Sequence, residues 1–254
     1  RNGILYPQTN TTRTKTGRFS CDTPNLQQIP KHGKFGKAMR SCFTSPFNDG
    51  VVACDFSQIE LRVAAALADE DTLLDAFAHD RCPHVEVAAK MFGKLYNDIT
   101  EKELFKAKAV NFGILNGMGA KRLANELKSS YDTAKKFLYD YRRNLPRLTE
   151  WMEGIWTETE STGVAKTIAG RPRFFGGHED TRSAVSVVVQ GTAAELMRHT
   201  LEQVEDWGFK PFLTVHDEIL CGGSSVEPYE LQEFMENAAN GAWTDKLGEV
   251  SFKA

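Results

Sequence analysis

The chain has 254 residues, 41% of them hydrophobic, and a formal net charge of −3 at pH 7. This length allows one large domain or two modest ones with a substantial core. The charge excludes a globally basic nucleic-acid-binding protein, so any such binding has to use local patches. The five cysteines are scattered without a CxxC pair, which argues against a zinc or disulfide framework and favours a reducing, intracellular setting. We find no apolar run of membrane-spanning length and no recognisable signal peptide.

The predicted elements run from loops through helices to a late hairpin. Residues 1–50 predict loops with short strands, because Thr, Asn, Pro, Gly and basic residues dominate there. The apolar run 51–54 predicts a buried strand that ends at Asp55, and Thr100 with Glu103 forms a capping box. Residues 170–177 predict a basic loop, and 212–221 a hairpin around His216, Asp217 and Glu218. Helices are predicted over 59–77, 84–93, 102–128, 131–143, 146–161, 180–207 and 228–246.

Two aspartates, Asp55 and Asp217, each lie in or just after a short apolar strand. Phosphoryl transfer by two metal ions needs carboxylates that hold two hard cations close together. Mg²⁺ takes few protein carboxylates and keeps water and substrate phosphate as its other ligands. Taken alone, however, an aspartate at a strand end more often caps a turn or pairs with an arginine. The pair by itself leaves both interpretations open.

Lys108, Phe112 and Asn116 follow one another at four-residue intervals, which places them on one face of a predicted helix. A cation one turn from an aromatic ring can bind a triphosphate while the ring stacks on a base. Gly113 and Gly117 leave room for the close approach of backbone or a base pair. The alternative is a core helix in which Phe112 is buried and Lys108 is solvated.

Several segments resemble motifs of the family A DNA polymerases, the group of bacterial DNA polymerase I, and they occur in the family's order. The segments are 16–20, 24–30, 55–62, 83–86, 108–113, 190–195 and 215–218. The resemblance implies catalytic roles for Asp55, Asp217, Lys108 and Glu218, and metal ligation by Asp55, Phe56 and Asp217. It implies nucleotide binding by Gln58, Glu60, His84, Phe112 and Asn116, and DNA binding by Arg18, Asn25, Gln27, Arg182, Gln190 and His216.

Two of these residues carry a further implication about the sugar. In the family, the glutamate at the position of Glu60 excludes a ribose 2′-hydroxyl, which is discrimination by an unfavourable contact. Phenylalanine rather than tyrosine at position 112 implies discrimination against dideoxynucleotides. Both statements come from the resemblance.

Two positions of the predicted helix differ from the family's pattern. Leu104 stands where the family has an arginine four residues before the lysine, and Asn116 stands where it has a tyrosine. The first change predicts weaker triphosphate binding, and the second predicts looser nucleotide selection. Two other functions therefore stay open. One is a catalytically weak fragment that binds primer–template, and the other is an enzyme like the single-subunit RNA polymerases, against which Glu60 argues because those enzymes need a small residue there.

The resemblance implies an α+β fold of the right-hand polymerase type, with an antiparallel palm sheet, a helical fingers insertion and no thumb. The expected palm comprises residues 1–63 and 176–254, the expected fingers residues 64–175, and the thumb would precede residue 1. The expected cofactors are two Mg²⁺ ions, with Mn²⁺ as a substitute. The expected partners are primer–template DNA and deoxynucleoside triphosphates, with no membrane association, in a monomeric intracellular protein.

Overall fold

The computed structural model of the chain describes residues 3–30, 33–47, 49–177, 180–223, 227–248 and 250–254. The strands are β1 (Gln8–Asn10), β2 (Ser20–Asp22), β3 (Val51–Asp55), β4 (Val164–Lys166), β5 (Pro172–Phe174), β6 (Pro211–Val215) and β7 (Glu218–Gly222). The α-helices are α1 (Gly36–Arg40), α2 (Ile59–Ala68), α3 (Asp71–Ala78), α4 (Pro83–Phe92), α5 (Glu101–Leu115), α6 (Ala120–Glu126), α7 (Tyr131–Asn144), α8 (Pro146–Thr162), α9 (Ala184–Asp206), α10 (Pro228–Gly241) and α11 (Thr244–Leu247). Helices combine with antiparallel sheets, which confirms the α+β fold class.

One compact unit consists of residues 1–59, 193–242 and 252–254. Its three-stranded antiparallel sheet has the order β3–β7–β6, and β1 pairs with β2 in a separate ribbon. α10 packs against β3 and buries Leu231, Met235 and Ala239, which recur every four residues along one helical face. The strands β6 and β7 form the predicted hairpin, so that prediction is confirmed.

The second unit consists of residues 60–192 and 243–251 and is mainly helical. In it, α4 packs against α3, α5 and α7, and α7 also packs against α6 and α8. The strands β4 and β5 pair as an antiparallel ribbon in which Ala165 faces Arg173. The prediction of a basic loop over 170–177 is therefore wrong in part, because β5 lies within it.

Three predicted helices are interrupted in the structure, at residues whose backbone is left-handed. The helix predicted over 59–77 breaks at Asp69, where φ is 49°, and Glu70 then caps α3 by accepting a hydrogen bond from the amide of Thr72. The helix predicted over 102–128 ends before Gly117, where φ is 68°. The one predicted over 228–246 ends before Trp243, where φ is 47°.

The other predicted helices agree with the structure to within a few residues at each end. The helix predicted over 180–207 begins with a 3-10 turn, Thr181–Ser183, which Asp180 caps. The capping box of Thr100 and Glu103 at the start of α5 is present. Of the described helices, none combines the length and the hydropathy that a membrane span requires.

Candidate active site

The turn between β6 and β7 places Asp217 beside the end of β3. Asp55 is the last residue of β3 and pairs with Glu218 in the antiparallel register. The amide of Phe56 donates a 3.0 Å hydrogen bond to the backbone carbonyl of Asp217. His216 makes the tight turn possible with a left-handed backbone, at φ = 57°. Two aspartates that are far apart in sequence therefore lie on adjacent segments of backbone.

An open cleft of about 560 Å³ lies at this end of the sheet. Its lining comprises Gln27, Gln28, Ile29, Arg40, Asp55, Val215, His216, Asp217 and Glu218. The part of the chain that the structure describes contains no closed cage of three or more His, Cys, Asp or Glu side chains suited to a metal ion. An open pair of aspartates is nevertheless what a hard cation needs when it also binds water and phosphate, so the residues present fit Mg²⁺.

Two arginines contact the carboxylates of this cleft. Arg18 Nη2 lies 3.2 Å from Asp217 Oδ1, and Arg40 Nη1 lies 4.0 Å from Glu218 Oε2. The pairing of a strand-end aspartate with an arginine thus does occur at Asp217. Each arginine offsets the repulsion that neighbouring carboxylates would otherwise exert on one another. Arg40 was not predicted as a site residue, because no motif distinguishes it from the other basic residues near the N-terminus.

The segment that carries Arg18, Asn25 and Gln27 is held in shape by hydrogen bonds within its own unit. Asn25 accepts a 3.1 Å hydrogen bond from the amide of Gln27, and Gln27 Nε2 donates to the carbonyl of Thr214 at 3.3 Å. Arg198 donates to the carbonyl of Gly17, directly before Arg18. Gln27 therefore ties this segment to β6, and Arg198, which the sequence did not single out, supports it.

Gln58 has two unusual features for a residue just after a strand. Its φ is 55°, in the left-handed region that glycine favours, and its side-chain oxygen is buried with no hydrogen-bond partner among the residues that the structure describes. Such a backbone conformation costs about 1–3 kcal/mol in a residue with a side chain. Strain and an unsatisfied acceptor together are typical of residues that serve a ligand rather than the fold.

In the second unit, α5 presents Lys108, Phe112 and Asn116 to solvent. Lys108 and Asn116 are exposed, and the ring of Phe112 is 50% exposed. The opposite face of the helix is buried and includes Ala107, Val110 and Ile114. The alternative in which Phe112 belongs to a core is therefore wrong. Glu60, in the first turn of α2, is half-buried.

His84 lies at the start of α4 and is 4% exposed. Its Nδ1 is 2.9 Å from Nδ2 of Asn111, and its ring centroid is 5.4 Å from that of Phe112. Burial lowers the pKa of His84 to about 4, and the positive charge of Lys108 contributes to the same shift. His84 is therefore an uncharged imidazole at neutral pH.

Asn116 links the end of α5 to α9. Its Nδ2 donates to the carbonyl of Phe112 at 2.8 Å, and its Oδ1 accepts a 3.2 Å hydrogen bond from Gln190 Nε2. The next residue, Gly117, packs so tightly that a Cβ there would lie 2.6 Å from the carbonyl oxygen of Arg182. The prediction that Gly117 leaves room for the close approach of backbone is therefore confirmed.

The guanidinium of Arg182 forms hydrogen bonds of 2.6–3.0 Å with both carboxylate oxygens of Asp180. This pairing lowers the pKa of Asp180 below its usual value. Both side chains are exposed enough for a ligand to reach them. Arg182 is therefore an accessible cation whose charge is partly offset.

The predicted site residues fall into two groups, one in each unit. The first unit holds Arg18, Asn25, Gln27, Asp55, Phe56, Gln58, His216, Asp217 and Glu218, and the second holds Glu60, His84, Lys108, Phe112, Asn116, Arg182 and Gln190. Asn111, the partner of His84, was missed. The available signal was an asparagine in the middle of a strong helix, which is unfavourable unless its side chain makes a specific hydrogen bond.

A family model for DNA polymerase family A matches residues 1–250. The chain belongs to DNA polymerase family A. It is 36% identical over 233 residues to the thermostable DNA polymerase I of Thermus aquaticus, in a match that covers 87% of this chain and 28% of that protein. It is 33% identical over 235 residues to DNA polymerase I of Pseudomonas aeruginosa, which covers 87% of this chain and 26% of that protein.

The fold of this family A chain is also similar to a solved polymerase domain. That structure is the POL domain of Pol1 from M. smegmatis in complex with DNA primer-template and dNTP. The TM-score is 0.86 at 27% identity, and the match covers 95% of this chain and 46% of that one. The chain spans less than a third of the length of the two curated relatives described above.

Proposed function

We propose that this chain supplies the catalytic part of a DNA polymerase that adds deoxynucleoside triphosphates to a primer 3′ end along a DNA template. The observation that carries the proposal is the placement of Asp55 and Asp217. The register of β3 with β7 and the hydrogen bond from Phe56 bring these two residues to one open cleft. Membership of DNA polymerase family A supports the same reaction.

Asp55 and Asp217, with the carbonyl of Phe56, are the groups that would hold two Mg²⁺ ions. When bound, the ions would activate the attacking 3′-hydroxyl and neutralise charge on the leaving pyrophosphate. Asp217 also accepts from Arg18, so binding of a cation requires the carboxylate to share or exchange that partner. Glu218, opposite Asp55 in the sheet, supports the primer terminus together with His216.

The second unit carries the residues that we assign to the incoming nucleotide. Lys108 supplies a solvated positive charge for the triphosphate, and the half-exposed ring of Phe112 offers a stacking surface one turn away. His84 contributes a neutral hydrogen-bond donor rather than a charge, because burial lowers its pKa to about 4. Gln58 and Glu60 follow β3 and act on the sugar.

For DNA, we assign the contacts to residues whose donors are suited to phosphate, sugar and groove edges. These are Arg18, Asn25, Gln27, Arg182, Gln190 and His216. We further propose that residues 1–63 and 176–254 act as the palm and residues 64–175 as the fingers.

Primer extension with Mg²⁺ tests the proposal. We expect Asp217→Asn to reduce extension by at least a thousandfold. The matched control is Asp206→Asn, because Asp206 is an exposed carboxylate of the same unit at the end of α9. Equal extension by Asp217→Asn and the unchanged chain would contradict the catalytic assignment. If the unchanged chain binds primer–template but does not extend it, the alternative of a binding fragment is correct.

A further inference from the structure

His84 and Asn111 form a buried polar pair between α4 and α5. Their residues are 4% and 1% exposed, and Asn111 Nδ2 lies 2.9 Å from His84 Nδ1. Burying two polar side chains is unfavourable unless they satisfy one another. Asparagine is also a poor helix former away from the helix ends. The packing of α5 alone therefore does not account for Asn111, and the contact with His84 does.

The direction of this hydrogen bond follows from the surroundings of the amide. Asn111 Oδ1 is buried without a hydrogen-bond partner in the described part of the chain. Turning the amide round would put both amide hydrogens at that position, and orphaned N–H groups are rarer in proteins than under-satisfied carbonyl oxygens. Asn111 therefore donates to Nδ1 of His84, which has to be unprotonated there. The single proton of a neutral ring is then on Nε2.

The surroundings of His84 also keep the ring neutral. Burial is the main cause of its lowered pKa, and Lys108 on α5 is the charged group that adds to it. The other polar groups near α4 pair with residues other than His84. Arg81 pairs with Glu86, the Lys90 side chain contacts Thr72, the Lys90 carbonyl accepts from Asn144, and the amide of Cys82 donates to Tyr96. At neutral pH the ring is an uncharged donor through Nε2 and an acceptor through Nδ1.

We propose that Asn111 is a positioning residue for the nucleotide: it fixes His84 as the Nε2–H tautomer, which donates a hydrogen bond to a phosphate oxygen of the incoming triphosphate. This inference rests on the nucleotide-binding role proposed above for His84. A neutral imidazole in a fixed tautomer adds direction to the binding of an anion that Lys108 attracts by charge. Phe112 directly follows Asn111 in α5, and its ring centroid lies 5.4 Å from that of His84. The same short segment of α5 therefore supplies both the hydrogen-bond partner of His84 and the aromatic ring beside it.

The first arm of the test measures the tautomer directly and needs neither DNA nor nucleotide. Nitrogen NMR of the histidine rings in the whole chain, assigned with His84→Gln, should show His84 as the Nε2–H tautomer at pH 7. Asn111→Leu should populate the other tautomer. Asn111→Asp should raise the pKa of His84, because a carboxylate accepts from Nδ1–H and stabilises the imidazolium. An Nδ1–H ring in the unchanged chain, or identical ring signals in Asn111→Leu, would overturn the proposal.

The second arm measures nucleotide use by primer extension. Asn111→Leu should raise KM for the deoxynucleotide by roughly tenfold while kcat changes far less. Asn111→Asp should introduce a pH dependence of KM between pH 6 and 8 that the unchanged chain lacks. Thr159→Val is the matched control, because Thr159 is also buried in the same unit and its hydroxyl donates only to a helix carbonyl. It should leave KM unchanged.

The two arms separate the inference from the function on which it rests. A changed tautomer with an unchanged KM would overturn the link between Asn111 and the nucleotide while the hydrogen-bond direction stands. Absence of extension by the unchanged chain would overturn the polymerase assignment, and the NMR arm would still decide whether Asn111 fixes the tautomer.

Discussion

Asp55 lies directly opposite Glu218 in the antiparallel register of β3 and β7. The amide after Asp55, that of Phe56, donates to the carbonyl of the residue before Glu218, which is Asp217. The same short stretch of sheet and turn thus positions three carboxylates. A slip of β7 by one residue would turn Glu218 to the other face of the sheet, so the register of this hairpin determines the site.

Gly117 is expected to be intolerant of any side chain. Its φ is 68°, and a Cβ would lie 2.6 Å from the carbonyl oxygen of Arg182. We expect Gly117→Ala to reduce the free energy of unfolding by about 2–3 kcal/mol. Gly154→Ala is the control, because Gly154 lies within α8 and a Cβ there meets nothing within 4 Å. It should stabilise by about 0.5–1 kcal/mol. Thermal unfolding of both variants measures these changes in stability. Equal destabilisation of the two would contradict the inference that Gly117 is too tightly packed for a side chain.

The lowered pKa of His84 predicts how stability changes in acid. The folded chain holds His84 neutral down to about pH 4, whereas the unfolded chain protonates it near its ordinary pKa of 6.5. Between these values the unfolded state binds more protons, so His84 contributes stability fully above pH 6.5 and loses it as the pH falls towards 4. The loss amounts to at most about 3 kcal/mol. Denaturant unfolding of the unchanged chain and of His84→Gln at pH 7 and pH 4.5 measures it. The difference in the free energy of unfolding between the unchanged chain and His84→Gln should be smaller at pH 4.5 than at pH 7. An equal difference at both pH values would contradict the prediction.

Glu60 is expected to act against ribonucleotides. Glu60→Ala removes the carboxylate that a 2′-hydroxyl would meet, so incorporation of ribonucleotides relative to deoxynucleotides should rise roughly ten- to a hundredfold. Glu126→Ala, at an exposed position of α6, is the control. The measurement is single-nucleotide insertion with each sugar. Unchanged sugar preference in Glu60→Ala would remove this role.

Asn116 is expected to permit looser nucleotide selection than an aromatic residue would. Asn116→Tyr places a ring one turn beyond Phe112, so misinsertion should fall severalfold. The change also removes the hydrogen bond from Gln190 to Asn116. Asn116→Ala controls for this loss, since it breaks the same hydrogen bond without adding a ring. Misinsertion assays on both variants measure the effect of the ring. Identical error rates in Asn116→Tyr and Asn116→Ala would show that the ring has no effect.

Much of the fold could be predicted from local sequence patterns. The hairpin around Asp217 is predictable because residues 212–221 alternate, are rich in strand formers and carry three polar residues in the middle, and the start of α5 is predictable because Thr100 and Glu103 form a capping box. The interruptions at Asp69 and Trp243 could not be predicted, because the left-handed residue at each is neither a glycine nor a proline, the residues that mark a break in a helix most strongly.

The predicted site residues were located through the spacing of short motifs, but their partners were not. No local pattern shows that Arg18 contacts Asp217, or that Arg40 approaches Glu218, because each pair joins distant parts of the chain. The exposure of Phe112 was equally open, since the spacing of Lys108, Phe112 and Asn116 fits either a solvent face or a core face. Asn111 had only an indirect signal, its low helix propensity.

The most direct test of the account is whether Asp55 and Asp217 bind cations as one unit. Electron paramagnetic resonance can count free Mn²⁺ in the presence of a deoxynucleoside triphosphate for the unchanged chain, Asp55→Asn, Asp217→Asn and the double variant. We expect each single change to weaken binding by at least tenfold, and the double change to weaken it by no more than either alone. Full Mn²⁺ affinity in either single variant, or losses that simply add, would show that the two carboxylates do not share a site.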